Sequence, residues 1–223
     1  MGQKNKVCSV VGVVDSLRAG REAAGLVEGD VDLLEWRADC LPGARRLPGS
    51  RFPWILTVRD PQEGGRGGLS LREREARFLS MLEGAAMVDV ELRSLRGLRR
   101  VVAEAGRAGV RVIGSFHDFR ATPKALRLRE VVARGEDAGV DVIKVAALAE
   151  GPSDISRLLE VFELTSLPVA VMGMGPLGFA SRLLFAECGS VLNYGWLDRP
   201  NVAGQWSALA LKQMLRFEAG RPA

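Results

Sequence analysis

Histidine and cysteine are scarce in this chain: one histidine, His117, and three cysteines, Cys8, Cys40 and Cys188, among 223 residues. The cysteines are odd in number, far apart and without C-x-x-C spacing. That argues against a disulfide framework and a zinc site, and suits a reducing cytoplasm. Long apolar runs are missing as well. No segment approaches 18 consecutive apolar residues, and the run Val7 to Val14 is short, stops at Asp15 and lacks a small-residue cleavage pattern. No membrane span or export signal is expected, and Lys6 breaks the myristoylation pattern that Met1-Gly2 begins. Charge of one sign is not concentrated either. The net charge is +4, and the basic residues are spread along the chain without a run of five. Nucleic acid is therefore a poor partner and a small anion a better one.

What is present is an ordinary globular composition, 47% hydrophobic and 26% charged. A chain of this length buries a large core and is expected to form a single domain, residues 1–223. Eight short β-rich apolar runs stand out, at 7–14, 31–37, 53–59, 87–92, 110–116, 140–148, 167–174 and 190–197. They are nearly continuous in hydrophobicity, as strands buried on both faces of a parallel sheet must be. Helix punctuation lies between them. Ser70 with Glu73 spells a capping box, Thr122-Pro123 a cap before a first-turn proline, and Gly109 and Gly139 stop helices just before strands. "Val-Asp-apolar-apolar-Glu" at 31–35 returns as "Val-Asp-Val-Ile-Lys" at 140–144, which suits copies of one βα unit. Only the Pro-, Gly- and Arg-rich connection 38–52 is unsuited to a full helix. The count predicts a compact (β/α)₈ TIM barrel, with an open doubly wound sheet as the alternative.

One motif competes with that reading. Gly173-Met174-Gly175-Pro176-Leu177-Gly178 spells G-x-G-x-x-G between an apolar run and a helix-like segment, with Asp198 further on. A dinucleotide fingerprint belongs in the first βα turn of its half-sheet. Here it follows the seventh strand with too little chain left for a nucleotide-binding half, so no NAD is expected.

A parallel barrel places its chemistry at the C-terminal ends of its strands. There this sequence has Glu35 and Arg37, Arg59, Glu91, His117-Asp118 and Lys144, the last inside Val142-Ile143-Lys144-Val145-Ala146. An ammonium in an apolar strand must be paired or pushed towards the neutral amine, a nucleophile suited to imine chemistry with a carbonyl compound. The alternative is a buried pair with Glu35 or Glu91. His117, at a strand end beside that of Lys144, is a candidate general acid/base or a structural hydrogen-bonder. Glu35 and Arg37 face one side, either as an ion pair or for substrate. The glycine-rich loop 60–69 suits a lid or a plain turn. Arg182 stands near the head of a helix, where amides and a guanidinium can jointly hold a carboxylate or phosphate.

The set Glu35-Trp36-Arg37, Thr57-Val58-Arg59 with Glu63-Gly64-Gly65, Ser115-Phe116-His117-Asp118-Phe119, Lys144, Gly178 to Arg182 and Gly204-Gln205 resembles type I 3-dehydroquinate dehydratase along nearly the whole chain. The resemblance implies that Lys144 forms an imine with 3-dehydroquinate and that His117, oriented by Glu63, shuttles the proton. Loss of water then yields 3-dehydroshikimate, the third step of the shikimate pathway to aromatic amino acids. It implies substrate contacts from Glu35, Arg37, Arg59, Arg182 and Gln205, and from Ser9 on the first strand. It also implies no metal or nucleotide cofactor, a homodimer, and no nucleic-acid or membrane partner. One departure is Asn201-Val-Ala-Gly204-Gln205, where the family has Ser-Ala-Pro-Gly-Gln; Asn201 is expected to replace the serine as a hydrogen-bonder. A Schiff-base aldolase and a non-catalytic carboxylate-binding barrel are the rival readings.

Overall fold

The computed structural model describes residues 8–41, 43 and 51–218. Eight parallel strands, β1 (Ser9–Val14), β2 (Leu33–Arg37), β3 (Trp54–Thr57), β4 (Met87–Glu91), β5 (Arg111–Asp118), β6 (Val142–Leu148), β7 (Val169–Met174) and β8 (Leu192–Trp196), follow one another around a nearly closed barrel. β8 lies beside β1, with Ser9 in register with Leu192. Across the remaining seam, between β7 and β8, the Val191 amide donates to the Val169 carbonyl at 2.8 Å. An open doubly wound sheet would leave two free edges there, and the barrel reading holds.

Seven α-helices surround the strands among the described residues: α1 (Leu17–Gly25), α2 (Leu71–Met81), α3 (Arg99–Arg107), α4 (Ala125–Asp137), α5 (Pro152–Glu160), α6 (Gly178–Glu187) and α7 (Ala208–Glu218). Of the connection 38–52, residues 42 and 44–50 lie outside the described residues, and the rest is non-helical. The capping box at Ser70 and Glu73 forms in full. Gly109 and Gly139 both take positive φ, which lets the chain leave α3 and α4 and turn into the next strand. Thr122 does not cap a helix. α4 begins later, at Ala125, and the Thr122 hydroxyl instead donates to the Leu148 carbonyl at the end of β6, 2.6 Å away.

The Val-Asp repeat has a structural cause. Asp32 and Asp141 each stand just before a strand, and each carboxylate accepts the amide of the second residue of the preceding strand, from Val10 at 2.8 Å and from Val112 at 2.7 Å. The same aspartates return their own amides to the Val10 and Val112 carbonyls. A shared local device therefore sets the register of β1 with β2 and of β5 with β6, and it brings Glu35 and Lys144, the fifth residues of the two copies, to inward positions.

Alternate strand residues divide two cores. Val11, Leu33, Ile55, Met87, Ile113, Val142, Ala170 and Leu192 fill the lower barrel, while the intervening residues pack outward with the helices. Each fully buried aliphatic side chain contributes about 1.5–3 kcal/mol. The upper barrel departs from this apolar filling, and its inward positions carry charge.

Candidate active site

Two-residue periodicity continues upward from the apolar layer. Leu33 leads to Glu35 and Arg37, Ile55 to Thr57 and Arg59, Met87 to Asp89 and Glu91, Ile113 to Ser115 and His117, and Val142 to Lys144. The charged members of this set are all buried or nearly so. Glu35, Arg37, Arg59, His117 and Lys144 of this set, with Arg182, Tyr194, Asn201 and Gln205, line a cavity of about 250 Å³ at the C-terminal mouth, room for one small molecule, and Asp89 and Glu91 lie behind them.

The cations here differ in their partners. Arg37 is forked onto Asp39, Nε to Oδ1 at 2.9 Å and Nη2 to Oδ2 at 2.8 Å. Arg59 grips Asp89 with both terminal nitrogens, at 2.8 and 3.0 Å, and reaches Glu91 at 3.0 Å. Glu91 is shared with the fully buried Arg74. Lys144 Nζ donates to Asp89 Oδ2 at 2.8 Å and lies 3.7 Å from Glu35 Oε1. Of the two partners expected for a paired Lys144, Glu35 is within ion-pairing distance and Glu91 is not: Glu91 is taken by the two arginines, and Asp89 makes the shorter contact with the lysine. Burial works against the Asp89 carboxylate, yet Arg59 and Lys144 hold it well below the usual carboxylate range.

Arg182 has no such partner. It is 3% exposed, its Nη1 donates to the Tyr194 carbonyl at 2.9 Å, and its Nε has no hydrogen-bond partner. Among the described residues no carboxylate lies within ion-pairing distance of it. Burial alone pulls its guanidinium down to about 10. A buried cation without an anion is costly unless a ligand supplies one.

His117 and Glu63 form a pair. Nδ1 of His117 lies 3.0 Å from Glu63 Oε2, and the same oxygen accepts the His117 backbone amide at 2.9 Å. Burial, followed by the charges of Arg59 and Lys144, holds the imidazole neutral, well below its ordinary value. Burial and the nearby Glu91 push Glu63 up to about 7. With Glu63 ionised, Nδ1 carries the hydrogen and Nε2 keeps the lone pair of a base. The loop that delivers Glu63 is built on glycine: Gly64 takes φ +89°, and a Cβ on Gly65 would lie 2.2 Å from the Arg59 carbonyl.

Asp15, at the end of β1, accepts Arg66 from the 60–69 loop at 2.8 Å and the Asn201 side-chain amide at 2.5 Å, tying two loops beside the cavity. The Asn201 amide nitrogen of the backbone donates to Gln205 Oε1 at 2.8 Å, and its side-chain carbonyl is left without a partner. Ser9 is not brought to the site. It is the first residue of β1 and faces Leu192 at the opposite end of the barrel, so depth along the strand removes it from the mouth. Asp89, Asp39, Asp15 and Tyr194 are site residues the sequence reading passed over; Asp89 was within reach, since an inward Glu91 puts the residue two before it on the same face.

The G-x-G-x-x-G segment serves the barrel. Gly175 opens a short turn at φ +79°, and a Cβ on Gly178 would lie 2.6 Å from the Gly204 carbonyl. The chain's own backbone packs against Gly178, which brings the 201–205 loop and α6 together at the cavity.

The Type I 3-dehydroquinase family matches residues 7–222. The 3-dehydroquinate dehydratase of Thermococcus gammatolerans is 34% identical over 216 residues, covering 95% of this chain and all (100%) of that one. The solved structure of the Clostridium difficile type I 3-dehydroquinate dehydratase superposes with a TM-score of 0.86 at 25% identity, covering 98% of this chain and 94% of that one. That of the Aquifex aeolicus enzyme does so at 0.82 and 26%, covering 96% and 100%. Family match, full-length relatives and barrel agree: the chain belongs to the type I 3-dehydroquinase family of enzymes.

Proposed function

We propose that this enzyme dehydrates 3-dehydroquinate to 3-dehydroshikimate through an imine on Lys144, with His117 moving the proton. The observation that carries the reading is Arg182, a buried guanidinium without an anion among the described residues, on the same cavity as Lys144 and the neutral His117. Such a cavity calls for a ligand that brings a carboxylate to the arginine and a carbonyl to the lysine.

In the proposed sequence the Lys144 amine adds to the ketone carbon and the carbonyl oxygen leaves as water, giving a protonated imine. His117 Nε2 then takes a proton from the carbon next to the imine, whose positive nitrogen accepts the electron pair as an enamine. The pair returns to expel the β-hydroxyl, which leaves as water with the proton from His117. Hydrolysis frees the product and the lysine, so the balance is loss of one water. Glu63 orients His117 through Nδ1. Arg182 grips the carboxylate, while Gln205 and the unpartnered carbonyl of Asn201 offer hydrogen bonds to substrate oxygens. Glu35, Arg37 and Arg59 line the cavity mainly through their mutual and aspartate pairings, and their polar edges contact the hydroxyls. The Clostridium difficile structure is described with covalent modified comenic acid, which accords with a covalent route.

As the third step of the shikimate pathway, the reaction would take place in the cytoplasm, and we expect the chain to act as one catalytic domain in a homodimer. Light scattering tests the last point, and a monomer would refute it. The mechanism is tested by borohydride reduction in the presence of 3-dehydroquinate, read by mass spectrometry. Label is expected on Lys144 alone; label on Lys124 or Lys212, or none, overturns the assignment. Aldehyde release in the same mixture would point to an aldolase instead.

A further inference from the structure

The charged nitrogen of Lys144 is held by more than carboxylates. It lies 3.7 Å from the centre of the Tyr194 ring, well inside the about 6 Å over which a cation is drawn to an aromatic face. Tyr194 is the only tyrosine in the chain, sits inward on β8 and is 4% exposed. Its carbonyl accepts Arg182, but its hydroxyl is buried without a hydrogen-bond partner among the described residues, so the contact that the side chain makes with the site is made by the ring. Burial, then Asp89 and Glu35, push the phenol well above its ordinary value, and the ring stays neutral.

We propose that the aromatic face of Tyr194 is a seat for the positive nitrogen of Lys144, first as the ammonium and then as the iminium, which makes Tyr194 a positioning residue acting through the lysine. The iminium half of the proposal rests on the imine chemistry proposed above. An ammonium has three N–H bonds to spend on Asp89 and Glu35, whereas a protonated imine has one. Hydrogen bonding to the carboxylates therefore weakens as the reaction proceeds. The ring attracts the charge whatever hydrogens the nitrogen carries, and so keeps the nitrogen in place through the change.

The test keeps the shape of the ring and drains its face. Tyr194 is replaced by phenylalanine, by phenylalanines bearing one, two and three ring fluorines, and by leucine. The first readout is acylation of Lys144 by a small anhydride at fixed pH, followed by mass spectrometry. It consumes the free amine and needs no knowledge of the substrate. Tyr194→Phe is expected to match wild type within about 3-fold, and each fluorine to speed labelling, reaching about 2- to 30-fold at three fluorines, the range a cation–π contact supports. A flat series overturns the proposal. The second readout is turnover of 3-dehydroquinate: kcat is expected to fall along the same series by about 10-fold, with KM within about 3-fold because the carboxylate grip is untouched. Stepwise labelling with a level kcat would overturn the iminium half. Failure of borohydride to trap wild type with 3-dehydroquinate would instead refute the proposed function, and the anhydride series would still decide whether the ring seats the ammonium.

Discussion

Replacing Arg182 with methionine should leave the enzyme at least as stable and nearly unable to hold its substrate. The guanidinium is pulled down to about 10 by burial alone, with no anion among the described residues to offset it. Each pKa unit corresponds to about 1.4 kcal/mol, so carrying the charge in the empty site costs about 3 kcal/mol. Methionine removes that cost and also the charge-assisted bond from Nη1 to the Tyr194 carbonyl, worth about 1.5–3 kcal/mol. The balance favours the variant by about 0–1.5 kcal/mol, or up to about 6 °C in Tm for a chain of this size. The sign of the pH dependence follows from the same shift. A base with a depressed folded pKa destabilises the fold wherever it is charged, and the penalty is relieved only as pH rises through about 10. The gain in Tm should therefore be equal at pH 6 and pH 8. Ligand reverses the ranking: losing one side of a buried charge pair costs about 2–5 kcal/mol of binding. 3-Dehydroshikimate at about 100 times its wild-type Kd should stabilise wild type by about 2.7 kcal/mol and the variant hardly at all. Scanning calorimetry of both proteins with and without product reads all of this. A variant less stable than wild type that keeps its full ligand shift would refute the idea that Arg182 waits for an anion.

Strand order, barrel closure and inward parity were legible because each depends on local pattern: apolar runs, glycine stops and the two-residue alternation that carries Leu33 to Glu35 and Ile113 to His117. Pairing was less legible, because it is made across the barrel. Arg59 meets Asp89, 30 residues away, and Lys144 meets the same carboxylate from 55 residues away. No spacing rule predicts which cation such a network leaves over, and so Arg37, forked onto Asp39, and Arg182, without a carboxylate among the described residues, look alike in sequence. Ser9 shows the other blind spot. The resemblance implied a binding role for it, but position along the strand decides function in a barrel, and the first residue of β1 lies at the wrong end. Thr122-Pro123 failed for a related reason, since a hydroxyl that caps a helix in isolation found a strand carbonyl instead.

His117→Ala should still form the imine but lose about 10²- to 10⁴-fold in kcat, the span of general acid/base catalysis, with borohydride-trapped adduct accumulating; turnover within a few-fold of wild type would assign the proton to another group. Gly178→Ala places a methyl 2.6 Å from the Gly204 carbonyl, so the loop bearing Asn201 and Gln205 must move. KM is expected to rise about tenfold or more, the cost of a small misplacement, and an unchanged KM would separate that loop from substrate binding. Glu63→Gln tests the base through its pH profile. The Glu63 carboxylate, pushed up to about 7, must be ionised to accept Nδ1–H and leave the lone pair on Nε2, so kcat/KM of wild type should fall as pH drops through about 7. Glutamine cannot titrate, and the fall should move to lower pH, where His117 itself takes up a proton. Stability carries the opposite sign: a carboxyl raised from 4.5 to about 7 favours the fold at low pH and loses that contribution as pH rises through about 7. Wild type should therefore lose stability relative to Glu63→Gln between about pH 4.5 and 7 while gaining activity relative to it. Parallel pH profiles for the two proteins would place the titrating group elsewhere than Glu63.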